Sequence, residues 1–243
     1  MDKKIVLVTG ASSGIGETVA RKLAARHHTV ILTGRNRKKL EAMEREMASG
    51  GQRAVAIAGD LRKEDQVRFV VAESLKTFGA VHAVVHSAGV FRMCGVDDTP
   101  LELWEEVMDS NLTSTFLLAK HLAPHFYRQE FGHFIAISSI AGRGGFPAET
   151  AYCASKWGLM GFLESLRMES RGRGVRVTAI LPGATLTPAW STYAGKLPVE
   201  RMMKPESVAD AVEFALDQPR EASVDEILVM PSRDPFEGSG KAT

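Results

Sequence analysis

Lys4-Ile5-Val6-Leu7-Val8-Thr9-Gly10-Ala11-Ser12-Ser13-Gly14-Ile15-Gly16 is the stretch that decides the fold. Residues 4–9 read as a buried strand, because parallel strands covered on both faces are near-continuous apolar runs. Ile15, Val19 and Leu23 then recur at i, i+4, i+8, with Ala20 and Ala24 beside them, as one apolar stripe of a helix. Gly10 allows a tight turn, Gly14 lets backbone approach a ligand, and Gly16 lets the helix lie close to the sheet. A helix N-terminus offers free N–H groups and partial positive charge, which suits a pyrophosphate. Ile15 belongs to the same turn, and Ser12 and Ser13 add hydroxyl donors. A Gly/Ser turn without a ligand is the plainer reading. Its place between a buried strand and an amphipathic helix favours the ligand. No Lys-Ser or Lys-Thr pair follows the glycines, so this is not a P-loop.

Outward from this turn the alternation continues. Further β-branched runs lie at 29–33, 53–58, 83–86, 133–138, 175–181 and 226–230. Helical periods lie between them at 41–47, 65–78, 101–123, 152–171 and 206–216. Seven strands alternating with helices imply right-handed crossovers and an α/β fold, a doubly wound seven-stranded parallel sheet with helices on both faces. No repeat, low-complexity tract or linker divides residues 1–243, so one domain is expected. Segments 142–147 and 184–205 lack a period, and loops beyond strand carboxyl ends are where such sheets bind ligands. The tail, 233–243, is rich in Gly, Ser and charge and is expected to fray.

Composition limits the partners. The 243 residues carry 30 basic and 29 acidic side chains, a formal net charge of +1, which argues against nucleic acid or a polybasic membrane surface as partner. No stretch suits a bilayer span or a signal peptide, and the default expectation is cytoplasmic. Cys94 and Cys153 form neither a disulfide framework nor a metal knuckle. His121 and His125 share a helical spacing, but Pro124 intervenes and no His-Glu-x-x-His pattern forms, so no metal is expected.

The end of the second strand selects the dinucleotide. An acid there binds the ribose hydroxyl of NAD, whereas an Arg accommodates the 2′-phosphate of NADP. Here Gly34 holds the acid's place and Arg35 follows, with Asn36 as a second contact. Cations at a helix start oppose the macrodipole unless an anion joins them, which favours NADP(H). Arg37, Lys38 and Lys39 read equally as a solvated run.

Tyr152 and Lys156 are four apart in a helical segment, and Ser139 lies thirteen residues before the tyrosine, just past the fifth strand. A phenol near pKa 10 is a poor base at neutral pH, and a lysine beside it favours the phenolate. A serine hydroxyl can hold the substrate oxygen. Tyr-x-x-x-Lys alone occurs often by chance; the glycine turn and the placed serine give it meaning.

Together these features resemble the shorter branch of the short-chain dehydrogenase/reductase family, over most of the chain from Lys4 to about Met230. The resemblance implies a Rossmann fold and a triad of Ser139, Tyr152 and Lys156. It implies that Asn111 holds a water against the lysine, and that Asp60 and Leu61 lie near the adenine. Lys156 would bind the nicotinamide ribose. Pro182, Gly183, Thr185 and Thr187 would hold the carboxamide end. The family's Asn-Ala-Gly is here Ser87-Ala88-Gly89, so Ser87 must replace the asparagine's hydrogen bonds or they are lost. Ala88 and Gly89 would still line the cofactor. The usual Val-Asp-Gly-Gly after the last strand is absent.

The expected activity is NADP(H)-dependent interconversion of a carbonyl and a secondary alcohol, with Tyr152 as general acid/base. The expected substrate is a small ketone or hydroxy acid, with Arg92 or Arg143 either at a substrate carboxylate or merely on the surface. The alternatives are a 3-oxoacyl-acyl-carrier-protein reductase and a non-catalytic NADP(H) sensor. Trp190, Tyr193, Leu197, Met202 and Met203 form either a lid or core. By resemblance the chain pairs through helices 101–123 and 152–171 into a homodimer or homotetramer, with Phe116, Leu117 and Phe162 as candidate contacts.

Overall fold

The computed structural model describes residues 3–193 and 197–235. Its strands are β1 (Ile5–Thr9), β2 (Thr29–Thr33), β3 (Ala54–Ala56), β4 (Ala83–His86), β5 (Gly132–Ile137), β6 (Val175–Pro182) and β7 (Glu226–Val229). They form one sheet in the order β3-β2-β1-β4-β5-β6-β7, and every pairing is parallel. The order reverses between β1 and β4, which opens a crevice above their carboxyl ends.

The helices are α1 (Gly14–Ala25), α2 (Arg37–Ser49), α3 (Glu64–Phe78), α4 (Leu101–Met108), α5 (Ser114–Arg128), α6 (Thr150–Ser170) and α7 (Pro205–Asp217). Strand side chains alternate between faces, so β1 feeds two cores. Val6 and Val8 pack with Val19, Leu23, Leu40 and Val212 on the α1/α2/α7 side. Leu7 packs with Val70, Leu118, Leu122 and Leu159 on the α3/α5/α6 side. Lys22 pairs with Asp210 at 2.7 Å and Arg26 with Glu213 at 2.7 Å, tying α1 to α7. Among the described residues no helix is long and apolar enough to cross a membrane.

The structure corrects the expected helix over 101–123. A π turn, Asp109–Thr113, separates α4 from α5, and the Ser114 N–H reaches the Asp109 carbonyl five residues back. One extra residue in a turn hardly alters the apolar period, which is why the pattern reads as continuous. The strand expected over 53–58 contracts to Ala54–Ala56 at the sheet edge. Of the expected tail, Arg233, Asp234 and Pro235 line the main cavity, and 236–243 lie outside the described residues.

Candidate active site

All seven strands deliver residues beyond their carboxyl ends to one cavity of about 1040 Å³. They include Gly10 after β1, Gly34 after β2, Gly59 after β3, Ser87 after β4, Ser139 after β5, Gly183 after β6 and Met230 after β7. Every residue expected at the site lines this cavity except Gly16. A Cβ on Gly16 would stand 2.4 Å from the Gly10 carbonyl oxygen, so that glycine sets how closely α1 approaches β1. Gly10 has φ +64°, and its Cβ would meet the Ala88 nitrogen at 2.9 Å. Ser13 precedes α1 without a side-chain cap bond, leaving the first-turn N–H groups for a ligand.

The loop after β4 is held by residues other than Ser87. Thr9 Oγ1 accepts from the N–H groups of Ser87 (3.1 Å) and Ala88 (3.0 Å). Its own proton therefore goes to His86 Nδ1, 2.9 Å away. That fixes the imidazole as the Nε2–H tautomer, which donates to Ser114 Oγ at 3.2 Å, and Ser114 donates on to the Ser110 carbonyl at 2.7 Å. Burial drives the His86 pKa down to about 3, consistent with a neutral ring. One buried chain thus ties the glycine-turn strand to the π turn.

Asn111 sits in that π turn. Its Oδ1 accepts from Val90 N at 2.8 Å, and its Nδ2 donates to the Val90 carbonyl and to Ser155 Oγ, both at 3.0 Å. Its carbonyl accepts from Thr115 Oγ1 at 3.0 Å. The amide's donors are fully used, and the Lys156 ammonium bonds the Ile137 carbonyl at 3.0 Å instead. Through these bonds Asn111 braces the β4 loop against α6.

Ser139 ends β5 in extended backbone, and its Oγ accepts from Ala141 N at 3.1 Å. Ser139 and the Tyr152 phenol both line the cavity, close enough to act on each other. Burial pushes that phenol up to about 12, with Ser139 opposing. Lys156 Nζ lies 5.6 Å from the Tyr152 ring centroid, and burial lowers its pKa to about 8. Desolvation is the largest influence on the phenol here, and Lys156 stands beside it, as the helical spacing expects.

At the β2/β3 end stand Arg35, Asn36, Asp60, Leu61 and Arg62. Asn36 Oδ1 caps α2 by accepting from Lys39 N at 3.1 Å, leaving only its amide N–H groups for a ligand. Arg62 grips Asp60 with Nη2 at 2.6 Å, which holds the carboxyl below its usual range. At the other end, Phe91 packs on Tyr152 and on Trp190, each with centroids 5.0 Å apart, and Trp190 packs on Tyr193 at 5.8 Å. Trp190 and Tyr193 line the cavity, whereas Leu197, Met202 and Met203 do not.

Sequence and structure comparisons bear on this arrangement. The family model described as short chain dehydrogenase matches residues 4–196. The chain belongs to the short-chain dehydrogenase family. A sepiapterin reductase of Chlorobaculum tepidum is 34% identical over 237 residues, covering 95% of this chain and 97% of that protein. The glycine betaine reductase ATRR of Emericella nidulans is 35% identical over 241 residues, covering 96% of this chain but 19% of that protein. A solved metagenomic short-chain oxidoreductase in complex with NADP has TM-score 0.83 and 32% identity, covering 95% of this chain and 98% of its own. Short-chain dehydrogenases are oxidoreductases that use nicotinamide cofactors.

Of the two readings left open for the arginines, the surface one fits the structure. Neither Arg92 nor Arg143 lines the cavity. Arg92 pairs with Glu106 at 2.9 Å, and Arg143 pairs with Glu226. Charged wall residues that escaped the sequence reading include Arg62 and Glu149, besides Arg233 and Asp234 of the expected tail. The signals were present: Arg62 lies two after Asp60, and Glu149 lies three before Tyr152, one helical turn away. His121 bonds Glu64 at 3.1 Å while His125 accepts from Val81 N at 3.2 Å, so the two histidines face different partners.

Proposed function

We propose that this short-chain dehydrogenase interconverts a carbonyl and a secondary alcohol with NADP(H). The observation that carries this reading is the meeting of Ser139, Tyr152 and Lys156 on the same cavity as the glycine turn. The cavity suits a dinucleotide: bare backbone at Gly10, free N–H groups opening α1, and Arg35 with Arg62 where β2 and β3 end. Bound there, nicotinamide supplies or accepts the hydride. In reduction Ser139 orients the carbonyl oxygen, and Tyr152, kept protonated by burial, gives it a proton. Lys156 keeps positive charge beside the phenol and so favours the phenolate left behind. Pro182, Gly183, Thr185 and Thr187 would hold the carboxamide side of the ring. Thr187 already closes on the glycine turn, since a Gly14 Cβ would lie 3.2 Å from its Cβ.

The relatives named above carry different substrates in their names, a pterin and a betaine, so they do not define one for this chain. The test of the reaction class is loss of NADPH absorbance with a panel of aldehydes, ketones and diketones. Tyr152→Phe should keep cofactor affinity and lose about 100-fold or more in turnover. Cofactor binding without turnover on any compound would favour a sensor instead.

A further inference from the structure

We propose that the substrate end of the cavity selects carbonyl compounds carrying a positive charge, an ammonium or quaternary ammonium group, held by Glu149 against the aromatic wall of Phe91, Trp190 and Tyr193. This rests on the hydride-transfer reading above.

The charge pattern favours a cation over an anion at this end. The two arginines nearest in sequence to the substrate loops are both neutralised by acids away from the cavity. Of the cations on the wall, Arg35 and Arg62 stand at the far, β2/β3 end, and Lys156 is committed to the Ile137 carbonyl. Arg233 is exposed and adjoins the equally exposed Asp234. Glu149 is the acidic group on the wall beside the reacting phenol. It is close enough to act electrostatically on Tyr152.

Glu149 is also under-used by the fold. It is the residue preceding α6, yet its side chain makes no cap bond. No hydrogen bond or ion pair holds its carboxylate among the described residues, and burial alone raises its pKa, to about 7. A half-buried carboxylate without a cation costs stability, a cost expected at functional sites. Around the reacting end, edge-on and tilted rings of Phe91, Trp190 and Tyr193 join Tyr152 with centroid spacings of 5.0–5.8 Å. Aromatic faces attract cations through their quadrupole, most strongly where water is excluded, and quaternary ammonium groups are recognised this way. A carboxylate beside such a wall supplies the counter-charge.

Two ketones of the same shape decide the matter: acetonyltrimethylammonium and its neutral isostere, neopentyl methyl ketone. The measurement is kcat/KM for each with NADPH, in the wild type and in Glu149→Gln. The substitution cancels the charged ketone's greater intrinsic reactivity, so the readout is the change in the cation-to-neutral ratio. We expect that ratio to fall about tenfold in Glu149→Gln, equivalent to about 1.4 kcal/mol. An unchanged ratio, or a wild-type preference for levulinate over its methyl ester, overturns the inference while leaving the hydride-transfer reading intact. If no ketone at all is reduced, that reading fails. Calorimetry of choline against its neutral isostere 3,3-dimethylbutan-1-ol on NADP-saturated wild type then still decides. Tighter binding of choline supports the inference, and equal or weaker binding overturns it.

Discussion

Arg35 and Glu149 mark the two ends of the cavity, and each is a charge the fold leaves for something else. The Arg35 guanidinium makes no hydrogen bond or ion pair among the described residues, whereas Arg37 pairs with Glu41 at 3.8 Å and Lys39 with Glu17 at 3.3 Å. A charge-assisted contact to phosphate is worth about 1.5–3 kcal/mol. Arg35→Ala should therefore weaken NADP(H) roughly ten- to hundredfold and NAD(H) far less, by titration of each cofactor; equal losses would assign the residue to structure. Gly34 has room for a side chain, its Cβ meeting nothing nearer than Ser12 Oγ at 3.6 Å, so Gly34→Asp should shift preference toward NAD(H). Glu149 gives a pH signature. Its folded pKa of about 7 exceeds the ordinary 4.5, so the folded state holds the proton more tightly. Its favourable contribution is full below about pH 4.5 and is lost as pH rises through 7. Glu149→Gln should accordingly gain Tm relative to wild type between pH 5 and pH 8. A difference that stays constant across those pH values would show that the carboxylate is not desolvated.

At the scale of elements, the approach of α1 to β1 and the π turn between α4 and α5 fix the cavity's shape. Gly16→Ala places a methyl 2.4 Å from backbone oxygen that cannot rotate away. The helix must retreat, and overpacking of this kind costs about 1–3 kcal/mol. The expected outcome is a Tm lower by several degrees together with weaker cofactor binding, because the same contact shapes the turn. A variant of unchanged Tm and affinity would mean that the turn yields elsewhere. The π turn places Asn111 so that its amide spans the β4 loop and α6, while Thr9, bonded in turn to His86, holds the N–H groups of Ser87 and Ala88. The departure at Ser87 is absorbed in this way, by neighbours rather than by the serine's own hydroxyl.

For the whole molecule, apolar side chains remain exposed on the helices α4, α5 and α6. Trp157 is 55% exposed, Phe116 45% and Trp104 38%. Phe116 packs edge-on against Phe162 at 6.3 Å and continues this face. Leu117 was expected there too, but it is buried in the core. Contiguous exposed apolar surface of this kind marks interaction sites. Light scattering at micromolar concentration is expected to exceed the 26.4 kDa monomer mass, and Trp157→Glu should shift it toward the monomer. A clean wild-type monomer would leave this face without a self-association role.

The chain's own order of residues determined the strands, the helices and the glycine turn, because period and turn chemistry are local properties that survive in one dimension. It also determined the grouping of Ser139, Tyr152 and Lys156, since a helical spacing and a strand end place them together once the sheet is parallel. Only the tertiary structure decided the charges and the proton. Whether Arg92, Arg143 or Glu149 faces the cavity depends on which acids from distant segments reach the arginines first. How far the Tyr152 phenol is pushed up depends on how much water the surrounding chain removes, and burial is the largest influence here. Both are sums over neighbours far apart in sequence, which no local pattern records.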